Sequence, residues 1–175
     1  MTRTIDTVVT FLEMTEQPSL VDIHPPVNLK VALMRAEEIP VHFYRYLYDT
    51  VGTGLYWIDR KVLSDEALAN IIHDENVEVF VAYGHGVPAG FFEIDARKPE
   101  EVWLAYFGIV PDFQGQGVGK WLLAEAIGTA WAKGPERVRV ETCTLDHPRA
   151  LALYQRMGFV PYAQEDKTME VPDTA

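Results

Sequence analysis

Polar and apolar residues alternate from Thr4 to Met14, the two-residue period of a strand with one buried face. Pro18, Pro25 and Pro26 end that pattern, so 15–27 is expected to be a loop. A short strand, LKVALM, follows at Leu29 to Met34. From Ile39 to Val51 the period lengthens: Phe43, Tyr44, Leu47, Tyr48 and Val51 fall on one face of a helix. Gly52 and Gly54 interrupt it, and a second helix is expected from Ser64, a ready N-cap, to Ile72. The period then returns to two. VEVFVAYG (77–84), a Gly-His-Gly turn and PAGFFEID (88–95) read as a hairpin. VWLAYFGIV (102–110) is a long apolar strand ending at Pro111.

After it come the glycine-rich QGQGVGK (114–120) and a helix from about Val118 to Lys133, stopped by Gly134-Pro135. RVRVETCTL (137–145) is a further strand; Pro148 opens a helix that Gly158 closes. Phe159 to Tyr162 and Thr168 to Val171 read as a terminal hairpin. This order predicts an α/β fold, a mixed sheet with helices on both faces. The length of 175 residues suits one domain, 1–175. No repeat or low-complexity linker divides it.

Composition narrows the partners. The net charge of −11 disfavours a nucleic-acid backbone and favours a cationic small molecule, besides keeping the chain soluble. No apolar run approaches the ~18 residues that span a membrane, and the N-terminal stretch lacks a signal peptide's apolar core. One cysteine, Cys143, forms no internal disulfide or metal pair. A cytoplasmic protein without a metal is the expectation.

The glycine run lies between a strand and a helix, where backbone N–H groups and the helix dipole favour an anion. Two phosphate patterns fail. A P-loop needs glycine at 114 and Ser or Thr at 121, which are Gln114 and Trp121. A dinucleotide GxGxxG needs glycine at 120 or 122, which are Lys120 and Leu122. A third pattern fits. Gln114-x-x-Gly117-x-Gly119, within IVPDFQGQGVGKWLLAEAI, resembles the Q/R-x-x-G-x-G/A loop of the GCN5-related N-acetyltransferase (GNAT) superfamily. HPRALALYQRMGF (147–159) resembles that superfamily's second signature, with Ala150, Leu153, Tyr154, Gly158 and Phe159 in register. The likeness covers about 77–172; residues 1–76 would be the variable part that shapes the acceptor site.

The resemblance implies a mainly antiparallel sheet and direct transfer of acetyl from acetyl-CoA to an amine. It implies that Gln114, Gly115, Gln116, Gly117, Val118, Gly119 and Lys120 hold the pyrophosphate. The strand end at Ile109 and Val110 would face the pantetheine arm and thioester, with Gly108 easing its distortion. His147 stands where asparagine is usual and would contact the pantetheine. Tyr154 would protonate the leaving thiolate; seven residues after His147, it would share a helical stripe with it. Glu93, or alternatively Glu141, is the expected base. Tyr56 and Trp57, beside two glycines, are expected at the acceptor, whereas Tyr44 and Tyr48 read as core. A non-catalytic acyl-CoA-binding module is the rival reading. It would keep the loop without needing Tyr154. A homodimer through a sheet edge is a further expectation of the resemblance.

Overall fold

A computed structural model describes residues 2–172. Its strands are β1 (Thr2–Met14), β2 (Val31–Arg35), β3 (Val77–Gly84), β4 (Val87–Asp95), β5 (Glu101–Ile109), β6 (Arg137–Cys143) and β7 (Val160–Pro172). Its helices are α1 (Val41–Gly52), α2 (Asp65–Ile72), α3 (Val118–Trp131) and α4 (Ala150–Arg156), with one 3₁₀ turn at Pro111–Phe113. The strands form one sheet in the order β2-β3-β4-β5-β6-β1-β7. Every pairing is antiparallel except β5 with β6.

Alternation along the strands sorts the core into two layers. Phe80, Ala82, Phe92 and Ile94 face α3 and α4, joined by Leu122, Ile127, Tyr154 and Phe159. Val79, Val81 and Phe91 face the other way, against Tyr44, Leu47, Tyr48 and Val51 of α1 and Leu68 of α2. Ser64 caps α2 as its position predicts, its hydroxyl accepting from the Ala67 N–H at 3.2 Å.

The C-terminal hairpin does not form. Val160 to Pro172 is one strand, paired with β1 along nearly all of that strand's length. Its middle, Gln164-Glu165-Asp166-Lys167, has the composition of a turn, but an edge strand can carry charge on both faces. The ladder offered by β1 outweighs that local preference. The N-terminal strand therefore lies inside the sheet, between β6 and β7. The loop after it runs to β2 at the far edge, packing Leu20, Ile23 and buried Leu29 into the α3–α4 layer.

Two irregularities open the sheet. Glu93 pairs with Tyr106 and Ile94 with Leu104, so Ala105 is the extra residue of a bulge in β5. The parallel pairing of β5 with β6 ends at Trp103↔Arg139. Beyond it the two strands part, leaving a wedge.

Candidate active site

The wedge leads from the glycine loop to the far side of the sheet. The Val110 N–H donates to the Ala89 carbonyl at 2.8 Å, so it is spent on β4. By strand alternation the polar groups of Ile109 point the other way, into the wedge, where Gln114 Nε2 donates to the Ile109 carbonyl at 3.4 Å. Of the two strand-end residues expected at the thioester, only Ile109 lines the cavity; Val110 is buried. Gly108 lies where α1 packs on β5. A Cβ there would lie 2.2 Å from Val51 Cγ1, so this glycine admits α1 against β5.

Past the 3₁₀ turn, Gly115 (φ 77°) and Gly117 (φ 84°) adopt the left-handed conformation. The N–H groups of Gly115, Gln116 and Gly117 have no partner among the described residues. Those of Val118 and Gly119 begin α3, where intrahelical acceptors are lacking. Five consecutive donors at a helix N-terminus form an anion cradle. Gly115 has no atom within 4 Å of where a Cβ would stand, which leaves room for a ligand. Gln116 and Gly117 also line a smaller cavity with His24, Pro26 and Asn28 of the β1–β2 loop.

The main cavity, of about 610 Å³, lies within the usual range for small-molecule sites. Tyr154 lines it, 6% exposed, its ring edge-on to Phe107 and Phe159. Its hydroxyl has no hydrogen-bond partner among the described residues. Burial, then the nearby Asp146 carboxylate, push the phenol above its ordinary range, so it stays protonated. His147 lines the same cavity but does not share a helical stripe with Tyr154. Helix α4 begins only at Ala150, and His147 Nδ1 accepts from the Arg149 N–H at 3.2 Å in the turn before it.

Glu93 lies outside this cavity. It is fully buried on the α1 side of β4, where Tyr44 Oη donates to it at 2.5 Å and Arg60 Nη2 at 2.7 Å. Burial raises its pKa, while Arg60 and Tyr44 hold it down. The Arg60 guanidinium also lies 5.2 Å from the Tyr106 ring centroid. These contacts tie the α1–α2 loop to the sheet. Glu141, by contrast, is at the cavity wall with no partner among the described residues. Partial burial, opposed by Lys167 and reinforced by Asp59 and Asp146, raises its pKa.

The wall away from the glycine loop, where Tyr56 and Trp57 are expected to meet the acceptor, is aromatic and acidic. Trp57 packs with Tyr48 and Tyr106, at 5.2 and 5.1 Å between centroids. Its Nε1–H reaches across the mouth to Asp146 Oδ1 at 3.4 Å. Tyr56 also lines the cavity, in the left-handed region at φ 57°, an unusual state for a bulky residue, and Arg3 of β1 donates to its hydroxyl at 3.1 Å. Sequence reasoning missed Asp59, Tyr106 and Asp146; no local pattern marks them, because parting strands and a loop from elsewhere bring them together. Tyr48 is core, as expected, and cavity wall as well. Half-buried Cys143 also lines the cavity without a paired histidine.

The site is thus a sheet split beside a glycine loop that can cradle an anion, with a tyrosine at the split. The model of the acetyltransferase (GNAT) family matches residues 35–159, and the chain belongs to that family. No curated protein matches it. Solved structures share the fold. A GCN5-related N-acetyltransferase from Sphaerobacter thermophilus is 15% identical over 97% of this chain and 52% of its own (TM-score 0.68). A functionally unknown conserved protein from Staphylococcus epidermidis is 18% identical over 95% of this chain and 62% of its own (TM-score 0.61). The chain thus spans less than two thirds of either. An IAA acetyltransferase from Bacillus cereus is 23% identical over 77% of this chain and 79% of its own (TM-score 0.56). Among the described residues no helix is long and apolar enough to cross a membrane, and no group of three or more His, Cys, Asp or Glu could hold a metal ion.

Proposed function

We propose that this protein transfers the acetyl group of acetyl-CoA to an amine by direct attack within the wedge between β5 and β6. The observation that carries the reading is Tyr154: protonated, nearly buried, without a hydrogen-bond partner among the described residues, and lining the same cavity as the glycine loop. The residues present fit the cosubstrate. The open N–H groups from Gly115 to Gly119 would hold the pyrophosphate, Gln114 and Ile109 the pantetheine arm, and His147 a further polar contact along it. Acetyl-CoA supplies an activated thioester carbonyl.

The chain's own groups do the rest. An alkylammonium, with a pKa near about 10.4, must lose a proton before it can attack. Glu141 takes that proton, its raised pKa bringing the carboxylate closer to the operating pH. Tyr154 gives its proton to the departing sulfur. Trp57, Tyr48 and Tyr106 exclude water around the acceptor. Glu93 holds Arg60, and through it the acceptor loop, in place. The lone cysteine fits a reducing, cytoplasmic setting.

Binding tests the reading. Acetyl-CoA should raise the melting temperature by mass action, with NADH and ATP at the same concentration giving no comparable shift. In Gly117→Val, a branched side chain must occupy left-handed backbone, and acetyl-CoA should lose its effect. Equal stabilisation by NADH, or an undiminished effect in folded Gly117→Val, would contradict it.

A further inference from the structure

We infer that the acceptor carries a second positive charge beyond the amine that is acetylated: the substrate class is a diamine or polyamine. This rests on the acetyl-transfer reading and narrows it. Three carboxylates line the cavity, Asp59, Glu141 and Asp146, against two cations, Arg149 and Lys167. Arg60 adds nothing to that balance, being neutralised by buried Glu93.

The three carboxylates have different duties. Asp146 is committed to the fold. Its Oδ2 accepts from Thr142 Oγ1 at 2.7 Å and from the Cys143 N–H at 2.9 Å, and its Oδ1 from Trp57. Glu141 and Asp59 have no hydrogen-bond or ion-pair partner among the described residues. Deprotonating one amine needs one base, and Glu141 fills that role. Asp59 is surplus to the chemistry. It stands in the α1–α2 loop two residues from Trp57, close enough to raise the pKa values of Tyr48, Tyr106 and Glu141.

An exposed carboxylate without a partner, in the same cavity wall as Trp57, is a place for a cation, which gains a charge-assisted hydrogen bond there. Tyr154, 94% buried, lining the cavity and without a hydrogen-bond partner among the described residues, is a separate sign that the cavity takes a ligand.

Calorimetry tests this with three probes of matched length: cadaverine, pentylamine and aminopentanol. Each is titrated into the full chain saturated with coenzyme A. Cadaverine should bind at least about tenfold more tightly than either other probe. Asp59→Asn should shrink that margin to about threefold or less while coenzyme A affinity and melting temperature hold, since Asp59 is exposed and bonds to nothing described. Equal binding of the three, no detectable binding of cadaverine, or an unchanged margin in Asp59→Asn would overturn the inference. Coenzyme A release from acetyl-CoA is followed alongside. A charge margin without any release would fail the transfer reading alone; release that ignores the second charge would fail this inference alone.

Discussion

Tyr154 and Glu93 are both ionisable groups taken almost wholly out of water, and their neighbours give them opposite duties. Tyr154 has no partner and faces the cavity, so its proton is free to move. Tyr154→Phe keeps the ring packed against Phe107 and Phe159 and removes that proton. Steady-state kinetics should show kcat lower by about 10²–10⁴. Acetyl-CoA affinity should change by no more than one hydrogen bond, about 0.5–1.5 kcal/mol. Glu93 is held by Arg60 and Tyr44. In Glu93→Ala the buried guanidinium loses its counter-ion, and denaturant unfolding should show a loss of about 3–5 kcal/mol. Glu141→Gln should leave the melting temperature near wild type and depress kcat/KM for the amine. In the wild type only the deprotonated carboxylate accepts a proton, so kcat/KM should rise with pH through a value above the ordinary glutamate range, about 4.3. That acid limb should vanish in Glu141→Gln. The place of Tyr154 on α4 at the cavity was legible because two motifs fix its register. The partnership of Glu93 was not. Alternation assigns it a face, but Arg60 and Tyr44, which cover that face, come from 33 and 49 residues away.

Among the elements, those with one strong period were placed well: α1, α2, α3 and the β3–β4 hairpin all fall within a few residues of the positions their spacing predicts. The misreadings lie where a partner overrides local preference. Strand β7 passes straight through a turn-like centre because β1 supplies its hydrogen bonds, and no window of sequence around residue 165 contains that fact. Helix α4 starts at Ala150 rather than at the proline, since the His147 carbonyl closes a turn first by accepting from the Ala150 N–H at 2.9 Å. Gly108 shows the same dependence on a distant element. Its Cβ position is filled by Val51 of α1, with the Trp57 ring at 3.4 Å. Gly108→Ala must therefore push α1 and the acceptor loop away from β5. Overpacking of this kind destabilises by about 1–3 kcal/mol. Kinetics should show the KM for the amine rising more than that for acetyl-CoA, because the displaced side of the wedge is the acceptor's.

At the scale of the whole molecule, the proposed function rests on one interruption in an otherwise continuous sheet. Strands β5 and β6 are held together by three residue pairs and then diverge, and every group assigned a chemical part lines the space between them or the loop beside it. The N-terminal strand closes the β6 side of that space and Arg3 on it reaches Tyr56, so the first residues and the last strand share in building the acceptor wall. The net charge of −11 accords with the cationic acceptor proposed above. The central claim is that the wedge performs acetyl transfer rather than merely holding a coenzyme. The most direct measurement incubates the protein with acetyl-CoA and a panel of monoamines, diamines and polyamines, and follows by mass spectrometry both the acetylated amine and free coenzyme A. The account predicts an acetylated amine formed in step with coenzyme A, at a rate that Tyr154→Phe lowers by about 10²–10⁴. Tight binding of acetyl-CoA with no acetylated product from any amine would contradict it, and would make the chain an acyl-CoA-binding module.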